Sequence, residues 1–177
     1  MTYMPERDAV DEILEQWSAE RPDLDTSRLS VVVRVMALYK PFLRQATRAL
    51  DPLQLELWEY DVLSALRRQG KPFSLPATAL AHATGLSTGA MTNRIDKLEA
   101  RGFVDRKDDP HDRRSVIVKL TPQGMKIIDK SIQLRLEAAN QSLRALRPEE
   151  REALGGLLRK VVITSAEIEK PRVDREF

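Results

Sequence analysis

The chain has 177 residues, 42% hydrophobic and 32% charged, with 5% aromatics and 7 glycines, a composition for one globular domain with arms and too poor in turn formers for a sandwich or barrel. It has no cysteine and only two histidines, His82 and His111, which excludes disulfides and thiolate chemistry and leaves no cluster for a transition metal. The net charge of +2 conceals an asymmetry: residues 1–30 hold 3 basic and 8 acidic groups, the remaining 147 hold 26 and 19, so an acidic arm precedes a basic body that suits a polyanion or a set of solvated helix faces.

In chain order, Val10, Ile13, Leu14 and Trp17 recur at helical spacing and predict a short amphipathic helix that Arg21-Pro22 stops. A second helix is expected from Ser27 or Ser30, with Val31, Val35, Leu38, Phe42 and Leu43 on one face and Pro41 kinking it without ending it, until Asp51-Pro52 closes the segment. A third runs from about Leu55 to Arg68, with Trp58, Val62, Ala65 and Leu66 inward and Gly70 as its cap. Ser74 is read as the cap of a short helix with Pro76 in its first turn and Leu75, Ala79, Leu80 and Ala83 as its apolar set. Ser87 caps the next helix, with Ala90, Met91, Ile95 and Leu98 inward and Gly102 beyond its end. Two helices joined by a short glycine-containing turn are the pattern of a helix-turn-helix.

Residues 103–107 and 115–120 then read as strands around the polar loop 108–114, a hairpin of the kind called a wing. Thr121-Pro122 starts a long helix with Ile127, Ile128, Ile132, Leu136 and Leu143 in its stripe, and Pro148-Glu149-Glu150 opens a last one with Leu154, Leu157, Leu158, Val161 and Val162 inward. The expected fold is mainly α with a small β-hairpin wing: a winged helix-turn-helix over residues 51–124, between an extra helix and a dimerisation helix in 1–50 and C-terminal dimerisation helices in 125–177. The terminal helices carry more apolar face than a wing domain of this size can cover, which predicts a two-fold homodimer.

Small polar residues at the start of a recognition helix let it approach base edges, and Ser87, Thr88, Gly89, Thr92 and Asn93 fill that place. Ser87 serves as N-cap or contacts phosphate; Asn93 can read adenine or sit on a solvated face. Lys97 suits phosphate, and Arg113 or Arg114 of the wing can enter a narrow minor groove. No apolar run approaches the roughly 18 residues of a membrane span, and Glu6, Asp8, Asp11 and Glu12 stand where a signal sequence would be apolar; the expectation is a cytoplasmic chain that contacts no membrane. No phosphate-binding glycine loop, nucleophile elbow or zinc-protease motif occurs, so neither an enzyme, a cofactor nor a metal site is expected.

The stretch Leu80 to Ser87, then Arg94 to Val104, then Asp109-Pro110-His111-Asp112-Arg113-Arg114-Ser115 and Val118-Lys119-Leu120-Thr121-Pro122-Gln123-Gly124 closely resembles the MarR family of bacterial winged-helix regulators. The match covers residues 54–124, and the flanking helices fit the family's dimerisation region by position. The resemblance implies a repressor of double-stranded operator DNA whose affinity a small molecule lowers. Within the family, a urate-responsive PecS-like subgroup has an extra N-terminal helix with a tryptophan, an arginine in the next helix, an aspartate in the one after and an arginine in the recognition helix. This chain is similar in Trp17, Arg34, Asp61 and Arg94, with Arg28 competing with Arg34.

On spacing alone, Asp61, Arg34 and Arg94 lie on or beside core-facing stripes, where charges are costly unless paired. They read equally as an internal ion pair or as a ligand site, and Trp17 as a core residue or a stacking platform. The other classes left open are the same fold answering a phenolic compound or an antibiotic, and a winged helix that binds protein and not DNA.

Overall fold

The computed structural model describes residues 7–108 and 115–168. The chain forms two compact units, one up to Ala138 and one from Ala139 onward.

In the first unit, α1 (Ala9–Glu20) begins on a capping box: Asp8 Oδ1 accepts from the amides of Val10 at 2.9 Å and Asp11 at 3.1 Å, and the Asp8 amide donates to Asp11 Oδ2 at 3.0 Å. Helix α2 (Ser27–Arg48) continues through Pro41, and a 3₁₀ turn at Asp51–Leu53 leads into α3 (Leu57–Arg67). Ser74–Pro76 is a strand, β1, followed by α4 (Ala77–Ala83), α5 (Thr88–Ala100), the wing strands β2 (Val104–Asp108) and β3 (Val116–Leu120), and α6 (Pro122–Ser142). The wing is thus a three-stranded antiparallel sheet in the order β1-β3-β2, with Leu75 opposite Val118 and Arg106 also opposite Val118. This corrects the reading of Ser74 as a helix cap. The free edge of β3 offers backbone partners to residues 74–76, and a three-residue segment takes them in preference to a helical turn that would bury Leu75 in the wrong direction.

The core lies where α3, α4, α5 and the sheet converge. Val62, Leu63, Ala65, Leu66, Leu80, Leu98 and Val118 have no accessible surface, and Met91, Ile95 and Val104 have 2% or less. In α4 the buried pair is Leu80 and Ala81 while Ala83 is exposed; in α5 Met91, Ile95 and Leu98 are buried as expected and Ala90, at the edge of that face, is exposed.

The start of α6 is fastened to the turn after α5. Thr121 Oγ1 donates to the Gly102 carbonyl at 2.7 Å and accepts from the Gly124 amide at 2.9 Å. Gly124 has no alternative here: a Cβ on it would stand 1.9 Å from the Phe103 carbonyl oxygen. Gly102 takes φ +72°, the left-handed conformation that ends α5.

The second unit holds the end of α6 and α7 (Pro148–Ile168). Glu150 accepts from the Arg147 amide at 2.8 Å and so fixes the first turn of α7. The residues expected inward on α7 are open: Leu154, Leu157, Leu158, Val161 and Val162 are 38%, 60%, 37%, 54% and 66% exposed. Among the described residues that stripe is left uncovered.

Candidate nucleic-acid interface

Ser87 is extended and its Oγ accepts from the Ala90 amide at 3.3 Å, so it is the N-cap of α5 as expected. Met91, Ile95 and Leu98 turn one face of α5 into the core. The opposite face leaves Ser87, Thr88, Gly89, Thr92, Asn93 and Lys97 exposed. Among the described residues nothing lies within 4 Å of the place where a Gly89 Cβ would be, so the backbone there is open to a partner. Thr92 Oγ1 donates to the Thr88 carbonyl at 3.0 Å and leaves its methyl group and lone pairs outward.

Both flanks of α5 are clamped, one by Trp58, read from the sequence only as inward, and one by Arg106, which the sequence reading left without a role. On one flank the Arg94 guanidinium lies 5.2 Å and the Lys97 ammonium 5.9 Å from the Trp58 ring of α3, while Trp58 Nε1 donates to Glu56 Oε2 at 2.6 Å. Lys97 is therefore held against an aromatic face and still has an exposed flank from which to meet phosphate. On the other flank Arg106 of β2 pairs with Asp96 and, at 3.2 Å, with Glu99. That arginine neutralises the two carboxylates of α5 that would otherwise repel a polyanion. Period-two alternation from Val104 already turned Arg106 toward the helix, a signal available in the sequence. Arg113 and Arg114 lie outside the described residues.

Among the described residues, no hydrogen bond or ion pair joins any two of the four residues assigned to a ligand. Trp17 is 47% exposed on α1. Arg34 is engaged by α1: its Nε donates to Asp8 Oδ2 at 2.8 Å, its Nη2 to Asp8 Oδ1 at 3.0 Å and Asp11 Oδ1 at 2.6 Å, and its Nη1 to Ser30. Arg34, and not the exposed Arg28, is thus the arginine with a built environment. Asp61 lines a polar groove of about 270 Å³ with Ser64, Arg68, Ala83 and Thr84. Desolvation raises the Asp61 pKa above the usual carboxylate value, against the opposing charges of Arg135, Arg94 and Arg68. No ion pair joins Asp61 to Arg94 among the described residues; Arg94 spends its charge on Trp58 and reaches Asp61 only through the longer-range field. Of the two readings left open, an internal ion pair between Asp61 and Arg94 is not formed: Trp58, one turn before Val62, takes the guanidinium face.

A helix-turn-helix closed by a small antiparallel wing, with the second helix presenting a polar front, defines a winged-helix protein. The model of the MarR family matches residues 53–115. The transcriptional regulator PecS of Dickeya dadantii (strain 3937) is 30% identical over 152 residues, 86% of this chain and 92% of the relative. A mutant MarR from E. coli in complex with operator DNA superimposes with a TM-score of 0.65 at 26% identity, covering 82% of this chain and 96% of that one. Bordetella bronchiseptica BpsR, described for the regulation of its DNA binding by 6-hydroxynicotinic acid, gives 0.64 at 27% identity over 75% and 98%. The chain belongs to the MarR family of winged-helix transcriptional regulators, which are not enzymes. Among the described residues, no helix is long and apolar enough to cross a membrane.

Proposed function

We propose that this regulator binds a pseudo-palindromic operator in double-stranded DNA as a homodimer in the cytoplasm, acts as a repressor, and loses DNA affinity when a small anionic aromatic molecule such as urate binds. The observation that carries the DNA reading is the open front of α5, where Ser87, Thr88, Gly89, Thr92 and Asn93 are exposed while both flanks are held. Lys97 and the wing residues Arg113 and Arg114 add backbone charge. The dimer reading rests on the uncovered apolar faces of α2 and α7. Two-fold symmetry sets two recognition helices on successive major grooves, with half-sites about 10 bp apart.

The effector reading is supported by the family and by the placement of charge. Asp61 is an exposed carboxyl at the groove whose pKa partial desolvation raises, and Arg34 is a guanidinium already fitted to carboxylates. A planar anion would stack on Trp17, compete with Asp8 and Asp11 for Arg34, and by its charge disturb the balance between Asp61 and Arg94 at the recognition helix. BpsR is described as regulated by 6-hydroxynicotinic acid, a planar anion of the same class, which makes that acid the second probe beside urate.

The test is a titration of the chain's own upstream DNA at two salt concentrations, repeated with each anion. With some 6–10 phosphate contacts, affinity falls about 10³–10⁵ between roughly 50 and 200 mM salt; a flat response would point to a protein-binding module. A bound effector lowers DNA affinity roughly 5- to 150-fold, and DNA weakens effector binding by the same factor. Calorimetry without heat from either anion would remove both as effectors and leave the DNA reading standing.

A further inference from the structure

Glu59 is the one buried charged side chain among the described residues, 2% exposed, and it stands in the first turn of α3. Its Oε2 accepts from the Glu56 amide at 2.9 Å and from Arg101 Nη1 at 2.6 Å. The other arm of the same guanidinium, Nη2, donates to the Gln54 carbonyl at 2.9 Å, and the guanidinium lies 4.7 Å from the Phe103 ring. Gln54 itself holds φ +49°, a left-handed conformation that a residue with a side chain adopts only when its surroundings require it. Arg101 is the C-cap of α5. One planar fork therefore joins the end of the recognition helix to both the first turn of α3 and the turn before it.

We propose that Arg101 is a positioning residue for DNA recognition, setting the angle at which α5 presents its front; this rests on the DNA-binding reading above. The core contacts of Met91, Ile95 and Leu98 fix how deep α5 sits, and the pairs on Trp58 and Arg106 fix its rotation about its own axis. At the far end the Thr121 hydroxyl holds the Gly102 carbonyl toward α6, and the Arg101 fork sets the tilt of that end against α3. A helix of 13 residues is about 20 Å long, so a tilt of about 3° moves the opposite end by about 1 Å. That is enough to spoil hydrogen bonds to base edges while contacts to flexible phosphates adjust. An apolar pair would hold the two helices together as well as an ion pair does; the buried Glu59 and the fork of Arg101 on it select one geometry. The two donors engaged with Gln54 and Glu59 face protein and tie the end of α5 to α3, the geometry of an orienting role.

The experiment compares the full-length protein with Arg101→Ala, Arg101→Lys and the near-isosteric Glu59→Gln, reading affinity for its own upstream DNA and for a random-sequence duplex, the salt slope of each, and thermal melting. Operator affinity is expected to fall about 3- to 30-fold in Arg101→Ala and Glu59→Gln, with random-duplex affinity and salt slope unchanged. Arg101→Lys recovers part of the loss, because it keeps the charge near Glu59 and loses the fork to Gln54. Both duplexes weakening together with the slope reduced by about 1 per site would make Arg101 a phosphate contact and overturn the proposal. A lower melting temperature with the operator-to-random ratio intact would make the pair a brace of the fold and overturn it equally. If the wild-type protein does not distinguish the two duplexes, the DNA-reading assignment itself falls, and this one with it. Should Arg101→Ala melt below the assay temperature, Glu59→Gln decides the matter.

Discussion

Helices α3 and α2 carry the same kind of apolar stripe and end in opposite surroundings. In α3, 11 residues long, Val62, Leu63, Ala65 and Leu66 are wholly inaccessible. In α2, 22 residues long, only Ala46 is buried, and Val35, Met36, Leu38 and Tyr39 are 47%, 70%, 46% and 66% exposed. The difference is in what lies opposite: α3 is met by α4, α5 and the sheet of its own unit, whereas the apolar residues of α2 stay exposed among the described residues. Exposed apolar surface on this scale marks an interface. On the proposed dimer, stability of the winged helix and assembly are thus divided between two helices, and substitutions can be aimed at one or the other.

The largest effect is expected where the core admits no adjustment. Gly124→Ala would drive a Cβ into the Phe103 backbone carbonyl, and Leu66→Ala would empty a fully buried site; the cavity substitution alone costs about 2–5 kcal/mol, and thermal or urea melts should place Gly124→Ala at least as low. Next, Val35→Asp on α2 should leave the far-ultraviolet circular dichroism of the winged helix unchanged and convert dimer to monomer in sedimentation velocity. A wild-type protein that sediments as a monomer while binding operator at full strength would break the comparison.

A smaller effect separates charge from packing at Asp61. Because desolvation raises its folded pKa, the folded state holds that proton more tightly than the unfolded chain does. Its stabilising contribution is present below the usual carboxylate range and is lost as pH rises through the raised value. Asp61→Asn should therefore stabilise the protein at neutral pH, by no more than about 1 kcal/mol after solvent screening. It should also flatten the acid-to-neutral dependence of urea melts; an unchanged pH profile would remove the groove as the cause. The smallest effect belongs to α1. Hydrogen bonds from Arg34 hold the Asp8 carboxyl below the usual range, so their contribution is present above that range and lost as pH falls through the depressed value. Arg34→Met should speed hydrogen exchange of the α1 amides without moving the global melt, as befits a helix with one buried residue, Val10.

The order of helices, the start of α5 at Ser87, its end at Gly102 and the start of α6 at Thr121-Pro122 were legible because each is set by residues within one turn: a side-chain oxygen for a free amide, a glycine for a left-handed residue, a proline where no amide is needed. The exposed front of α5 was legible for the same reason, since helical spacing alone separates Thr88, Thr92 and Asn93 from Met91, Ile95 and Leu98. What the tertiary structure alone decided involves partners far apart in the chain. Arg34 meets Asp8 and Asp11 across 26 and 23 positions, Arg101 meets Glu59 across 42, and Ser74–Pro76 becomes a strand because β3 lies beside it. Glu59 left a trace, lying between Leu55 and Val62 on the α3 stripe, yet a charge on a stripe names no partner. Arg94 makes the same point from the other side: its spacing placed it near the core, and only the position of the Trp58 ring determined that it would stack there and not pair with Asp61. Local rules fix which groups need a partner, and only the packed chain, by bringing distant groups within reach and excluding water from between them, selects which partner each one takes.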